Sequence, residues 1–220
     1  MATGTPRLTL QQARRALDAG ALLIDLRPHA EFASGHVPGS INVMFSRKSL
    51  PERVATAIPP GPKMLLLSEN PAEAEAAAEA LSGTDRNPLV GIVAGGIETW
   101  RRAGLNLVSL PQFSVADLRQ RLNGPHDDLV LIDVRETFEW DLGYIEGSLL
   151  IPLGEIWQRA EDLDRGKELI LICEEGIRSS TGASILLHRG VRHAANVPGG
   201  VGDWFRANYP SVRPPKPPKR

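Results

Sequence analysis

Val130-Leu131-Ile132-Asp133-Val134-Arg135 repeats an earlier stretch of the same chain, Leu22-Leu23-Ile24-Asp25-Leu26-Arg27, 108 positions before it (132 against 24). The register persists beyond the match. Glu31-Phe32, Gly35-His36-Val37 and Gly39-Ser40-Ile41 return as Glu139-Trp140, Gly143-Tyr144-Ile145 and Gly147-Ser148-Leu149. Further on, Met64 to Ser68 corresponds to Leu169 to Cys173, and Gly95-Gly96-Ile97-Glu98-Thr99-Trp100 to Gly199-Gly200-Val201-Gly202-Asp203-Trp204. Self-similarity of this length marks one folding unit present twice, not a solenoid of short repeats.

Each copy reads as alternating helices and buried strands. An amphipathic helix opens it, over 9–19 and 114–122, with Thr9 and Ser114 as N-caps whose hydroxyls can accept from the first-turn N–H groups. The runs 22–26 and 129–134 are short, apolar and without alternation, as strands covered on both faces are. The runs 64–67 and 169–173 read the same way. Pro71 to Leu81 is rich in Ala and Glu, and Ser179 to His188 runs into Gly190, a natural residue just past a helix end. A third strand is expected at 90–93 and 194–197. The fold class is therefore α/β, each copy a small, mostly parallel sheet flanked by helices, with ligands at the carboxyl ends of the strands.

Composition narrows the chemistry. Twenty-five Lys plus Arg against 26 Asp plus Glu give a net charge of -1, so no field of one sign points to nucleic acid. No apolar run approaches the roughly 20 residues of a membrane span, so no membrane association and a cytoplasmic location are expected. A single cysteine excludes an internal disulfide and any multi-thiolate metal site, and His29, His36, His126, His188 and His193 contain no i, i+4 pair. Neither a metal nor a cofactor is expected.

The remaining chemistry converges on Cys173-Glu174-Glu175-Gly176-Ile177-Arg178-Ser179. A strand runs into a thiol, a glycine permits a tight curl, and a helix is expected to begin at the arginine and serine. Loop N–H groups and the first helical turn then aim at one spot, a site for an anion that favours thiolate over thiol. Arg178 adds a cation.

In this order of motifs the chain resembles the rhodanese family of sulfurtransferases: Asp-x-Arg with Glu-Phe/Trp after the first strand, the Gly-His/Tyr-Ile/Val-x-Gly-Ser turn, Cys-x-x-Gly-x-Arg-Ser, and the closing Gly-Gly-x-x-x-Trp. The resemblance spans about Leu8 to Tyr209. It implies two tandem rhodanese-like domains: 1–109, degenerate because Ser68 stands at the cysteine position, and 110–212, bearing the Cys173 loop. The Pro/Lys-rich stretch 213–220 is expected to be extended and disordered. The pairing of a damaged and an intact copy is also similar to the rhodanese half of metallo-β-lactamase-fold proteins related to persulfide dioxygenases. By this resemblance Cys173 takes sulfane sulfur from a small anionic donor of the thiosulfate or persulfide type, holds it as a persulfide, and passes it to a thiol or cyanide-like acceptor. Glu174, Glu175, Gly176, Ile177, Arg178 and Ser179 would line the donor site. A phosphatase of the same fold would carry a longer loop between cysteine and arginine. The alternative is a non-catalytic or sulfur-carrier module that acts with a sulfur-metabolising metalloenzyme.

Other residues carry plainer expectations. Asp25/Arg27 and Asp133/Arg135 occur in both copies, including the one without a nucleophile, and are expected to be structural ion pairs near the site. Trp100 and Trp204 are expected in the core, Gly95-Gly96 and Gly199-Gly200 in turns, and Trp140 and Trp157 in packing before any role in a pocket. Two carboxylates, Glu174 and Glu175, stand beside the expected anion site and would weaken binding of a dianion such as thiosulfate.

Overall fold

The computed structural model describes residues 4–83, 86–124 and 127–213, so His126 and the proline-rich stretch from 214 onward lie outside the described residues. Contacts divide the chain into Met1–Leu110 and Pro111–Arg220. The first unit runs β1 (Arg7–Leu8), α1 (Leu10–Asp18), β2 (Leu22–Asp25), α2 (His29–Ser34), β3 (Ile41–Asn42), α3 (Leu50–Ala57), β4 (Met64–Leu67), α4 (Pro71–Ser82), β5 (Leu89–Val93) and α5 (Glu98–Arg102). Its sheet is parallel throughout, in the order β1-β5-β4-β2-β3.

Thr9 and Ser114 do cap. Each hydroxyl accepts from the N–H of the residue three positions on, and the side chain of that residue, Gln12 or Asp117, accepts from the cap's own N–H. Such reciprocal bonds satisfy two donors that the helix leaves orphaned, each cap contributing about 1 kcal/mol. The apolar runs without alternation are strands buried on both faces: every residue of β2 and β4 is buried. Successive side chains point to opposite faces, so Leu23, Leu65 and Leu67 meet Ala13, Val93, Ile97 and Trp100 in one layer of the core.

The second unit comprises α6 (Val115–Asn123), β6 (Leu129–Asp133), a 3-10 helix (Thr137–Leu142), β7 (Leu149–Leu150), α7 (Leu153–Arg159), β8 (Glu168–Ile172), α8 (Ile177–His188), β9 (Ala194–Asn196) and α9 (Gly200–Arg206). Its parallel sheet has the order β7-β6-β8-β9, which places β8 in the interior. Leu118, Leu131, Ile170, Ile172, Val197 and Trp204 pack on one face. On the other lies α8, whose residues 179–186 are all buried. Gly182 sets this close approach, because a methyl group there would fall 2.7 Å from Leu171 Cδ2. Its helical hydroxyls remain satisfied, Ser184 Oγ donating to the Thr181 carbonyl at 2.7 Å. A helix seated this deep ends its first turn directly over the carboxyl end of β8.

Three details differ from expectation. The helix begins at Ile177, one residue before Arg178, because Gly176 already makes the left-handed turn, at φ 86°. The pair Gly199-Gly200 is not simply a turn, since Gly200 opens α9. The two-residue strands β1, β3 and β7 were too short for any periodicity to mark them. Among the described residues no helix is long and apolar enough to cross a membrane.

Candidate active site

Cys173 is the first residue after β8, one step beyond the register pair of Ile172 with Asp133, the last residue of the neighbouring strand β6. Gly176 N–H donates to Cys173 Sγ at 3.2 Å, and Ser179 Oγ donates at 3.3 Å. Two donors therefore converge on the sulfur from the curl and from the first turn of α8, where the helix end also presents positive potential. The residue is only 1% exposed, so the thiol sits at the floor of the loop rather than at its lip.

The curl is held from outside. The carbonyls of Cys173 and Glu174 accept from Val201 N–H at 2.8 Å and Gly202 N–H at 3.0 Å, at the start of α9. Gly200 permits this approach, since a Cβ there would collide with both carbonyl oxygens. Gly176 rests against Pro198 in the same way, a Cβ falling 2.5 Å from Pro198 Cα and nearer still to its carbonyl oxygen. With the carbonyls turned outward onto α9, the Gly176 N–H faces inward.

Arg178 has a partner that its sequence position did not reveal. Its Nη1 and Nη2 donate to Glu139 Oε2 and Oε1 at 2.6 and 2.7 Å, a bidentate clasp between α8 and the 3-10 helix. Glu139 is braced in turn by Glu136 N–H at 2.8 Å. The Arg178 hydrogen bonds hold the Glu139 carboxyl below the usual carboxylate range, and Glu139 pushes Arg178 further up, so the pair stays ionised. The repeat held no signal of the pairing, since Glu139 matches Glu31 while Arg178 has no counterpart in the first copy. Glu174 and Glu175 are exposed.

Asp133 and Arg135 form a buried pair, each 1% exposed, with Arg135 Nη2 donating to Asp133 Oδ2 at 2.7 Å and to the Gly143 carbonyl at 2.9 Å. Trp140 Nε1 donates to the same carboxylate at 2.9 Å, and its ring stacks on Tyr144 at 4.0 Å. Trp157 lies against His188 and Arg189. Those residues end α8, eleven positions from Ile177 and therefore roughly 16 Å along the helix from the loop. Trp100 and Trp204 are both in the core.

The corresponding place in the first unit is closed. Ser68 Oγ accepts from Asn70 N–H at 3.1 Å, and the Asn70 side chain caps α4 through Ala72 and Glu73 N–H. Glu69 lays a carboxylate oxygen 2.7 Å from Ile97 N. The N–H groups of Asn70, Ala72 and Glu73 at the start of α4 are thus bonded within the chain. Asp25 and Arg27 pair at 2.6 Å and Arg27 Nη2 also donates to the Gly35 carbonyl, as Arg135 does to Gly143. His36 stacks on Phe32 at 3.9 Å and bonds the Phe32 carbonyl through Nδ1, and burial pushes its pKa down to about 4. Among the described residues no group of three His, Cys, Asp or Glu side chains could hold a metal ion.

A model of the rhodanese-like domain matches residues 9–103 and again 114–207. The chain belongs to the rhodanese-like family. Its curated relatives match about one domain's length of it. A sulfurtransferase of Allochromatium vinosum is 30% identical over 97 residues, 44% of this chain and 90% of that protein. YrkF of Bacillus subtilis, described as a candidate sulfur carrier, is 34% identical over 99 residues, 45% of this chain and 53% of that protein. Among solved structures, a thiosulfate sulfurtransferase from Pseudomonas aeruginosa aligns with 94% of this rhodanese-like chain and 43% of its own, at 21% identity and a TM-score of 0.42.

Proposed function

We propose that this protein is a sulfurtransferase in which Cys173 is the nucleophile, and that the first domain is non-catalytic. Cys173 Sγ attacks the sulfane sulfur of a thiosulfate- or persulfide-type donor. The new S–S bond forms as the donor's bond to that sulfur breaks, releasing sulfite or a thiolate. The cysteine persulfide then yields its outer sulfur to a thiol or cyanide-like acceptor, and the Cys173 thiolate returns. No external oxidant enters either step, and one awkward transfer becomes two displacements at sulfur.

The observation that carries this reading is the pair of donors on Sγ, Gly176 N–H at 3.2 Å and Ser179 Oγ at 3.3 Å. Fixed dipoles aimed at Sγ stabilise the charge that it carries as it attacks the donor and again as it leaves the persulfide, without reorganisation. Relatives named as sulfurtransferases lend support. The closed loop around Ser68 supports a structural or regulatory role for the first domain.

A second reading, a carrier module that holds sulfur for a sulfur-metabolising metalloenzyme, is favoured by the burial of Cys173 and by the similarity to YrkF. Intact mass spectrometry separates the two from a non-catalytic fold. After incubation with thiosulfate or an organic persulfide, the wild type is expected to gain one sulfur atom and Cys173→Ala none. Release of that sulfur to free cyanide or a small thiol with multiple turnovers marks the enzyme; sulfur that leaves only to a protein acceptor marks the carrier. No adduct from any donor refutes both.

A further inference from the structure

Within the stretch 173–179 Arg178 is the single cation, and Glu174 and Glu175 are two exposed carboxylates. Among the described residues neither glutamate has an ion-pair partner, whereas Arg178 is clasped at 2.6 and 2.7 Å by both oxygens of Glu139. The clasp is two-point, with one Glu139 oxygen also held by Glu136 N–H at 2.8 Å, so an incoming anion meets a guanidinium whose charge a preformed carboxylate already balances. The mouth of the cysteine loop is therefore left with uncompensated negative charge.

We infer that Glu139 sets the donor preference of the Cys173 site by charge: it cancels Arg178, so that the site takes sulfane sulfur from neutral or cationic persulfides in preference to dianionic thiosulfate. This rests on the sulfurtransferase reading above and deepens it by assigning a substrate class. Glu139 is a specificity-determining residue that acts through Arg178. Its counterpart in the first copy, Glu31, has no matching arginine to oppose, since the stretch from Ser68 to Ser82 contains none. The chemistry is the same for either donor: Sγ bonds to the sulfane sulfur while sulfite leaves from thiosulfate or a thiolate leaves from a persulfide. Only the charge carried into the mouth differs.

The test compares thiosulfate with cysteamine persulfide, whose ammonium group makes it a cationic carrier of the same sulfane sulfur. The rate of sulfur uptake on Cys173 is read by acid quench and intact mass in the full chain. The wild type is expected to load faster from cysteamine persulfide. Glu139→Gln, which frees Arg178, is expected to load from thiosulfate roughly ten- to hundredfold faster than wild type and to change by less than about threefold with cysteamine persulfide. The thiosulfate gain should shrink at high salt. Glu139→Asp, which loosens the clasp without leaving a bare cation, should show the same direction with a smaller gain, and serves if Glu139→Gln folds poorly. Adding Arg178→Gln to Glu139→Gln should abolish the gain. Loss of both donors in step, or thiosulfate loading unchanged in both Glu139 variants, overturns the inference and leaves the enzyme reading standing. Absence of sulfur on wild-type Cys173 from either donor removes the enzyme reading and this inference with it.

Discussion

Replacing Gly176 by alanine tests whether the backbone curl builds the sulfur site. Two costs add. Position 176 has φ 86°, where an L-residue with a Cβ is disfavoured by about 1–2 kcal/mol. The new methyl would also lie 2.5 Å from Pro198 Cα. Backbone cannot rotate away as a side chain can, so the loop or the start of α9 must shift, adding about 1–3 kcal/mol. The total is about 2–5 kcal/mol, a fall in melting temperature of roughly ten degrees or more for a domain of this size. Gly147→Ala supplies the control: it shares the positive φ, 80°, but meets nothing within 4 Å. It should show the conformational cost alone. Thermal and urea unfolding followed by tryptophan fluorescence measure both, with Trp140, Trp157 and Trp204 reporting on the second unit. In Gly176→Ala the displaced N–H should also abolish sulfur uptake by Cys173, while Gly147→Ala keeps it. If the two variants melt together and both load sulfur at the wild-type rate, the argument from the curl is wrong.

Putting a thiol back into the first domain should not restore chemistry there. Ser68→Cys in a Cys173→Ala background is expected to take up no sulfur, because Asn70 and Glu69 already occupy the α4 N-terminus and Ile97 N–H; an adduct at position 68 by mass spectrometry would contradict this. The first domain should also weaken in mild acid. His36 has a pKa of about 4 when folded against 6.5 ordinarily, so the unfolded chain takes the proton first. Stability is then full above about pH 6.5 and is lost as pH falls towards 4. His36→Phe, which keeps a ring against Phe32, should flatten that slope in urea midpoints read at Trp100, and identical slopes would refute it.

Much of the fold was legible because the repeat marks the folding unit and the buried runs are short, apolar and without alternation. Thr9 and Ser114 cap because hydroxyl chemistry is local, and the runs at 22, 64, 129 and 169 are strands because all but Val130 among them are buried. The two-residue strands escaped since pairing with a neighbour, not any pattern along the chain, makes them strands. At the site, the loop 173–179 announced its glycine, thiol and hydroxyl, all of which act within a few residues of one another. Glu139 was invisible as the partner of Arg178 because they lie 39 positions apart and meet only once α8 is seated on the sheet. Gly200 was read as part of a turn for the same reason: what it makes room for, the carbonyls of Cys173 and Glu174, comes from elsewhere in the chain.

Because those carbonyls are held by Val201 and Gly202, the sulfur site has a birth order. Synthesis delivers the thiol well before the residues that shape its surroundings, so a growing chain carries Cys173 as an ordinary, unguarded cysteine. Only when 198–202 have followed and α9 has docked is the curl that aims the Gly176 N–H at the sulfur held in place. Oxidative damage to the nascent protein should therefore concentrate in that interval, and mature molecules should resist it.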